Sequence, residues 1–434
     1  MTPPTESSLH RWHRRLFVAL IALLPLHTVF VDAWVSWKPW LLLVGLVSLL
    51  DLVLTRGYPW SRRLTVALTV FVLAVAASWP GSRVKPTYYT LLLGLCAGAL
   101  LLLVVARNAA GRTDLVLRTV YWSAAAMGIT GLLVALASNG TFGYSAVFGL
   151  NDLPLVFRVN RPAYLISGFV TVTNWHQDPG YAAAWTNLWL ALTVIAAARG
   201  LGSKRRWVDA LVVGGLALAS ILTYSRTGWL GLGVASLAGV LAARREGKNR
   251  GKRALQVAGA GAVVAAVLLA GIAAVDPHDL GGDVVYSLNY RTDYLFDLTG
   301  GADNYVDPSL IIPDNRRDIW GYYLGRFQDS PIRGIGLGTG WGTRGLQEPH
   351  NLVIELLGET GLLGLAGFLF LAVAVARNGG GTVGGAALLV ALVPSMTQTV
   401  LFEPSLWLAA GLWVGGKVAR PAEPEVEMVE GVKT

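Results

Sequence analysis

The sequence predicts an all-α polytopic membrane protein with about twelve transmembrane helices. Of its 434 residues, 54% are hydrophobic and only 14% are charged, whereas a soluble domain carries roughly 25% charged residues. Apolar runs long enough to cross a bilayer as a helix, about 17–25 residues each, recur along the chain. The Lys and Arg residues are also unevenly divided between the segments that connect these runs.

The twelve expected spans follow the apolar runs. They cover roughly residues 16–33, 39–55, 64–80, 88–106, 117–137, 178–198, 208–223, 228–243, 254–275, 352–376, 382–400 and 404–418. With a cytoplasmic N-terminus, 23 of the 35 Lys and Arg residues fall in cytoplasmic segments and only four in short outer loops. Since cytoplasmic loops carry the excess of positive charge, both termini are expected to be cytoplasmic. The basic start "HRWHRRLF" has no cleavage site after its apolar run, so we expect a retained first helix.

Composition excludes several classes of protein. The net charge of +9 follows from the loop bias and requires no nucleic-acid partner. A single cysteine, Cys96, excludes an intramolecular disulfide and a cysteine-based metal cluster. The sequence has no D-x-D, H-E-x-x-H or G-x-S-x-G motif. "GIGLGTG" (334–340) follows no strand, so we expect a tight turn there. We expect neither a metal nor a cofactor.

The chain is expected to divide into four parts. Residues 1–275 would hold nine transmembrane helices, 276–351 a long outer loop, 352–418 three more helices, and 419–434 a disordered cytoplasmic tail. Within the loop, "NRRDIWGYYLGRF" places Ile319, Tyr322, Tyr323 and Phe327 at amphipathic spacing. We therefore expect a partly helical cap over the outer face.

The stretch "EPHNLVIELLGETGLLGLAGFLFL" (348–371) places polar residues at a helix start. Pro349 suits the first helical position, which would put His350 in the first turn. The positive end of the helix dipole disfavours imidazolium, so a neutral His350 is a candidate general base. The alternative is an interfacial histidine that only caps or packs.

Two acids follow inside the same apolar run. Glu355 and Glu359 lie four residues apart, on one helix face. Acids within the membrane are costly and usually face a bundle interior with a partner. A structural role, orienting the helix that bears His350, is favoured over direct catalysis, and both remain open.

Cations at the outer face form a second group of candidates. Arg226, in "ILTYSRTGWLGLG", lies between two spans at the outer face, although arginines are usually enriched on the cytoplasmic side. It fits either an anionic ligand, since its planar fork matches phosphate, or a structural partner such as Glu355. The remaining outer cations could bind a diphosphate together or could simply be solvated charges; they are Lys85, Arg291, Arg316 and Arg317, with Arg83, Arg158 and Arg161 at the same face.

Three stretches in order carry a family resemblance: "TYSRTGWLGL", "RRDIWGYYLGRFQDSPIRGIGLGTG" and "PHNLVIELLGETGLLGLAGFLFL". Together they resemble the O-antigen ligase and polymerase superfamily. The resemblance implies a GT-C type glycosyltransferase at the periplasmic face of a bacterial inner membrane. The implied donor is a glycan on undecaprenyl diphosphate, and the implied acceptor is a lipid A-core sugar.

The resemblance also assigns roles to residues. His350 matches the proposed base and is followed by Asn351, and Arg226 matches a diphosphate-binding arginine. Either Arg316 or Arg317 matches the loop arginine, while Arg291 and Lys85 match by location alone. Glu355 and Glu359 would support the helix.

The expected reaction is en bloc glycan transfer with inversion and without a metal. The sequence favours a ligase over a polysaccharide polymerase. A protein O-oligosaccharyltransferase and a non-enzymatic transporter of lipid-linked glycan are weaker alternatives. The acceptor, the glycan and the oligomeric state are left open.

Overall fold

The computed structural model describes fifteen stretches of the chain: residues 8–25, 29–32, 35–37, 39–56, 58, 60–82, 85–138, 158–159, 163–166, 169–172, 179–223, 225–275, 316–339, 349–396 and 400–417. Most of the predicted cap loop, including Arg291, lies outside these residues, as do Arg83, Arg161 and the tail 419–434. The described chain is built mainly of helices.

In the described part of the first half, the chain forms six helices of 15 to 26 residues. In chain order they are α1 (Ser8–Leu23), α2 (Pro39–Thr55), α3 (Arg62–Ala76), α4 (Lys85–Asn108), α5 (Thr113–Ser138) and α6 (Pro179–Ala198), with a 3-10 turn at Trp79–Gly81. (α3, at 15 residues, is slightly shorter than the others.)

The second half continues the series with helices on both sides of the undescribed loop. They are α7 (Arg206–Ile221), α8 (Arg226–Arg245), α9 (Lys248–Val275), α10 (Arg316–Asp329), α11 (Leu352–Glu355), α12 (Gly361–Asn378), α13 (Thr382–Ser395) and α14 (Pro404–Gly415). A π turn, Leu356–Thr360, joins α11 to α12, and a 3-10 turn, Val400–Phe402, precedes α14.

Five short strands accompany the helices. They are β1 (Val29–Asp32), β2 (Val35–Trp37), β3 (Arg158–Val159), β4 (Ala163–Ile166) and β5 (Phe169–Val172). β1 is the central strand of a sheet of order β2-β1-β3, and β4 pairs with β5. All pairs are antiparallel, with Val29 opposite both Trp37 and Val159. The all-α prediction missed these strands.

Each of the twelve predicted spans coincides with a helix. Among the described residues, five helical stretches are long and apolar enough to cross a membrane: Arg62–Gly81, Thr87–Asn108, Tyr181–Ala198, Lys248–Gly271 and Leu352–Asn378. Two shorter apolar helices, Trp40–Thr55 and Thr382–Ser395, add to them. The helical, membrane-spanning character of the chain is thus supported, while the count of twelve spans is not confirmed.

Two predicted spans were too long. The first was expected to continue to residue 33, but α1 ends at Leu23 and residues 29–32 pair as β1. Pro25 follows that helix end, and the valines of "TVFVDAWVSW" suit an extended chain. The span expected over 382–400 ends at Ser395, directly after Pro394.

The core of the bundle is centred on α6, which is almost entirely buried. It packs against α5, α7, α8 and α13. By contrast, α3, α4 and α9 present exposed apolar side chains such as Leu73, Leu93 and Val263. Apolar side chains on the outside of a helical bundle are the arrangement expected for a protein surrounded by lipid.

Two ends of the bundle can be told apart from side-chain contacts. Thr382 Oγ1, at the start of α13, donates to Glu246 Oε1, just after α8, at 2.8 Å. The two packed helices are therefore antiparallel, so the end of α13 and the start of α8 lie at one end. Asn351 Nδ2 donates to Met396 O at 3.4 Å, which places α11 at that same end. We call it the site end, and the other the opposite end.

Candidate active site

The turn that carries His350 lies immediately before a helix. Asn351, not Pro349, begins the helical segment: its Oδ1 accepts hydrogen bonds from Val353 N at 3.0 Å and Ile354 N at 3.2 Å. Asn351 is therefore the N-cap of α11. The helix therefore begins at Leu352, three residues after the predicted start at Pro349, because the Asn351 side chain satisfies the free N–H groups of its first turn. The prediction that His350 sits in the first helical turn was wrong.

The backbone at His350 is held in a left-handed conformation. Its φ is +48°, one of two positive values among the described non-glycine residues. This conformation costs a residue with a Cβ roughly 1–2 kcal/mol. Such strain persists only where the surrounding structure enforces it, and it concentrates at functional sites. The half-buried His350 is thus positioned by its neighbours rather than by its own preference.

Trp320 is one of the residues that fix this turn. Its Nε1 donates to Pro349 O at 2.7 Å. Trp320 belongs to α10, whose Ile319 and Tyr323 are buried while Tyr322 and Phe327 are half-buried. The helix predicted from their amphipathic spacing is confirmed. Sequence reasoning did not single out Trp320, although it stands in the quoted "RRDIW" stretch.

Arg316 and Arg317 are the first two residues of α10. At 1.5 Å per residue, Arg316 Cα lies about 6 Å along the helix from Trp320. Since Trp320 contacts Pro349, the structure brings the backbones of both arginines to the neighbourhood of His350. Their side chains lie outside the described part of the structure, so the choice between them stays open.

Glu355 and Glu359 are both buried, at 1% and 0% exposure. Glu355 ends α11, whereas Glu359 lies in the π turn Leu356–Thr360, so the two acids do not share one regular helix face as predicted. Glu359 Oε2 accepts a hydrogen bond from Gly338 N at 2.8 Å. This bond ties the π turn to the glycine-rich segment and fits the favoured structural role for Glu359.

The glycine-rich segment forms the predicted tight turn. Gly334, Gly336 and Gly338 all have positive φ, at 68°, 99° and 75°. A Cβ on Gly334 would stand 2.3 Å from the Glu359 carbonyl carbon, and one on Gly336 would stand 2.1 Å from Ser82 N. Gly336 N in turn donates to Glu359 O at 2.9 Å. Glycine is thus required both by conformation and by the close approach of two backbones.

Lys85 lies beside this turn but is engaged locally. Its Nζ donates to Trp79 O at 2.7 Å and lies 4.3 Å from the centre of the Trp79 ring. The 3-10 turn that contains Trp79 packs on the glycine turn, with Leu337 N donating to Ser78 Oγ at 3.2 Å. The structure thus brings Lys85 to the site end, with its ammonium already held by Trp79.

Arg226 is the first residue of α8, and Ser225 is its N-cap, accepting from Gly228 N at 3.3 Å. Arg226 therefore starts a helix rather than lying in a loop, and its side chain falls outside the described set. The antiparallel packing of α8 and α13 places its backbone at the site end, with Asn351.

A buried polar network that sequence reasoning missed holds the start of α8. Asn187 Nδ2 donates to Gly228 O at 2.9 Å, and Ser220 Oγ donates to Asn187 Oδ1 at 2.9 Å. All of these groups lie inside the bundle, where an unsatisfied polar atom is costly. The one available signal was an asparagine within the apolar run "AAAWTNLWLALT".

The site end therefore combines a strained histidine turn with the starts of two arginine-bearing helices. Among the described residues, no group of three His, Cys, Asp or Glu side chains is arranged to hold a metal ion. The arrangement offers an imidazole for proton transfer, and α8 and α10 both begin with arginine, the residue type suited to bind an anion.

Comparison with known families gives a separate finding. Residues 210–369 match the family model described as O-antigen ligase. Over these residues the chain is similar to the O-antigen ligase and polymerase superfamily. The matched segment, somewhat over a third of the chain, contains His350, Arg226, Arg316 and both buried glutamates, while Lys85 lies outside it. No curated protein matches the chain.

Members of this family are membrane ligases or polymerases of the glycosyltransferase kind. The family match and the apolar helices together support an integral membrane protein. The resemblance read from the three sequence stretches is thereby confirmed at the level of the superfamily.

Proposed function

We propose that this protein is an O-antigen ligase. It transfers a glycan en bloc from undecaprenyl diphosphate to a sugar of the lipid A-core, at the periplasmic face of the bacterial inner membrane. The single observation that carries the proposal is the His350 turn. A histidine in a strained conformation is tied by Trp320 to the helix that begins with Arg316 and Arg317.

In the proposed reaction, His350 is the general base. It takes the proton of the acceptor hydroxyl as that oxygen attacks the anomeric carbon of the donor sugar. The new carbon–oxygen bond forms on the face opposite the lipid diphosphate, so the configuration inverts. The bond between the anomeric carbon and the phosphate oxygen breaks, and the lipid diphosphate leaves with the electron pair.

Arginines are proposed to stabilise the leaving diphosphate. Arg226 and either Arg316 or Arg317 are at or near the starts of helices at the site end. Lys85 and Arg291 are added to this group because their places in the sequence predict the same outer face. Preorganised positive charge near a developing anion is usually the largest electrostatic contribution to such a reaction. No metal ion is needed in this scheme, because guanidinium groups neutralise the charge that a metal would otherwise meet.

The remaining candidates have supporting roles in the proposal. Asn351 fixes the start of α11 directly after His350. Glu359 anchors the glycine turn through Gly338, and Glu355 lies buried one turn earlier. The parts of the molecule would then be the helices of 1–275, the cap of 276–351, the helices of 352–418 and a cytoplasmic tail.

The test uses purified protein in detergent with a lipid-linked oligosaccharide donor, with and without lipid A-core. A single shifted product that requires lipid A-core supports the ligase. A ladder of products from donor alone would identify a polymerase instead, and the absence of covalent product in every lane would overturn the proposed transfer. His350→Ala is expected to abolish product while the variant elutes and melts as a folded protein. Added chelator is expected to leave transfer unchanged.

A further inference from the structure

A cavity of about 310 Å³ opens at the opposite end of the bundle, far from the candidate active site. It lies where the first turns of α1, the last turns of α2 and the end of α4 meet. α4 begins near the glycine turn, where Gly338 approaches Thr87 and Leu91, and ends at Asn108 beside the cavity. Its 24 residues separate the two places by about 35 Å. This cavity is therefore distinct from the proposed active site.

The floor of the cavity is a built polar cluster around Asp51, which is 2% exposed. Its carboxylate contacts His13 Nε2 at 3.1 Å and Arg107 Nε at 3.2 Å. It also accepts a hydrogen bond from Asn108 Nδ2 at 2.9 Å. The Arg107 guanidinium and the Asn108 amide compensate this buried carboxylate, so it does not repel an anion above it. The same contacts hold Arg107 in place across α2 and α4.

The walls of the cavity are cationic. Arg107, Arg112 and His10 line it together with the Asp51 cluster. Arg112 is exposed, and its guanidinium forms no hydrogen bond or ion pair with any residue that the structure describes. Arg107 and Arg112 carry two positive charges and Asp51 carries one negative charge, so the cavity has a net positive charge. Its volume is at the lower end of the range for ligand pockets, about 300–1,000 Å³.

The surroundings of the cavity are apolar and exposed. On α2, Leu49, Leu52 and Val53 flank Asp51 and are exposed, at 57%, 44% and 55%. On α1, Trp12 is exposed as well, and Arg15 lies over its ring at 5.5 Å. Tryptophan and basic residues of this kind mark the level of lipid headgroups. An anion bound in the cavity would thus have an apolar helix face beside it.

We propose that this cavity binds the phosphate-bearing headgroup of an anionic membrane lipid, with Arg112 as its principal contact and the acyl chains along α2. Basic pockets between transmembrane helices are known to take anionic headgroups. The apolar face of α2 beside the cavity favours a lipid over free phosphate, because acyl chains can lie along that face while their headgroup occupies the cavity. The inference goes beyond the proposed transfer reaction and does not depend on it.

The experiment is native mass spectrometry of the purified, delipidated full chain, titrated separately with phosphatidylglycerol, phosphatidylcholine and inorganic phosphate. Phosphatidylglycerol is expected to bind more tightly than phosphatidylcholine. Arg112→Ala is expected to weaken phosphatidylglycerol binding about fivefold, the loss typical of one basic contact near a lipid surface. Because Arg112 is exposed and without a described partner, the variant should fold normally.

The matched control is Arg118→Ala. Arg118 is an exposed arginine of α5 that does not line the cavity. It should leave phosphatidylglycerol binding unchanged. Equal losses in both variants would mean diffuse surface attraction and would overturn the site. Arg112-dependent binding of inorganic phosphate without binding of the lipid would also overturn the proposal, since the ligand would then be the free anion.

Discussion

At the scale of single residues, the candidate site is defined by a histidine in an unfavourable, left-handed backbone conformation. His350 has a φ of +48° between Pro349, which accepts from Trp320, and Asn351, which caps α11. The sequence could indicate the histidine, because a polar residue at a helix start within an apolar chain stands out. It could not indicate the conformation, which depends on a contact from Trp320, 29 positions away along the chain.

Two substitutions at His350 separate conformation from chemistry. His350→Gly relieves the left-handed strain, while His350→Ala keeps it. We therefore expect the glycine variant to be about 1 kcal/mol more stable than the alanine variant. Thermal unfolding in detergent measures the difference, and the transfer assay should find both variants inactive. Equal stabilities would contradict enforced strain, and activity in either variant would remove His350 as the base.

Arg226 can be tested against an arginine on the same helix. Arg226→Ala is expected to raise the donor KM and lower kcat together, because a diphosphate contact acts on both bound donor and leaving group. The control is Arg245→Ala, an exposed arginine at the far end of α8, which should leave both constants unchanged. A defect limited to the acceptor KM would argue against a diphosphate role. Initial rates at varied donor and acceptor concentrations provide the measurement.

At the scale of elements, the site depends on segments that lock into each other. The glycine turn donates backbone hydrogen bonds to the π turn, and Leu337 N donates to Ser78 Oγ beside the 3-10 turn at Trp79. The close approach of these segments leaves no room for side chains at the glycines. The sequence predicts most of the helices from its apolar runs, and it predicts α10 from amphipathic spacing. The sequence could not predict the π turn, the five strands or the Asn187 network, because these features arise from contacts between distant segments rather than from local periodicity.

The link from α10 to the histidine turn predicts the effect of Trp320→Phe. The variant keeps an aromatic ring but loses the donor to Pro349 O. We expect the transfer rate to fall about fivefold, since a hydrogen bond worth about 1 kcal/mol holds the His350 turn. The fold should persist, because Ile319 and Tyr323 still anchor the helix. Steady-state kinetics checks the rate, with Trp207→Phe, at an exposed tryptophan of α7, as the control. An unchanged rate would mean that Trp320 does not position the turn.

The close packing of the glycine turn makes Gly336 a sharp test of its geometry. Gly336→Ala places a Cβ 2.1 Å from Ser82 N at a φ of 99°, so we expect a loss of about 2–5 kcal/mol. Gly259→Ala is the control, because a Cβ there meets nothing within 4 Å on helix α9. That variant should gain about 0.5–1 kcal/mol. Thermal or denaturant-induced unfolding measures the stability of both variants, and equal stabilities would contradict the described turn.

At the scale of the whole molecule, the opposite end is joined by an ionic network. Arg199 contacts Asp114 at 2.5 Å and also pairs with Glu246. Glu246 further accepts from Thr382 and pairs with Arg250 at 3.1 Å. These residues connect α5, α6, α9 and α13 around the end of α8. The sequence predicted the accumulation of positive charge at this end, but not that an acid would organise part of it.

This network predicts how stability depends on pH. Burial by itself raises the pKa of Glu246, but the hydrogen bonds from Arg199 and Thr382 and the nearby arginine charges outweigh it, so its pKa lies below the ordinary 4.5. A carboxyl whose pKa is lowered by folding binds fewer protons in the folded state than in the unfolded state. Its contribution to stability is therefore complete above pH 4.5 and is lost as the pH falls through the lowered folded value.

The matching variant is Glu246→Gln, which cannot titrate. We expect it to melt below the wild type at pH 7, because Arg199 and Arg250 lose a charged partner. As the pH falls below 4.5 towards the lowered folded pKa, the wild-type melting temperature should fall towards that of the variant, since protonation then removes the same charge. Thermal unfolding across this range, in one detergent and at constant ionic strength, gives the two curves. A difference that stays constant as the pH is lowered would mean that Glu246 keeps its ordinary pKa and that the network does not couple the helices through its charge.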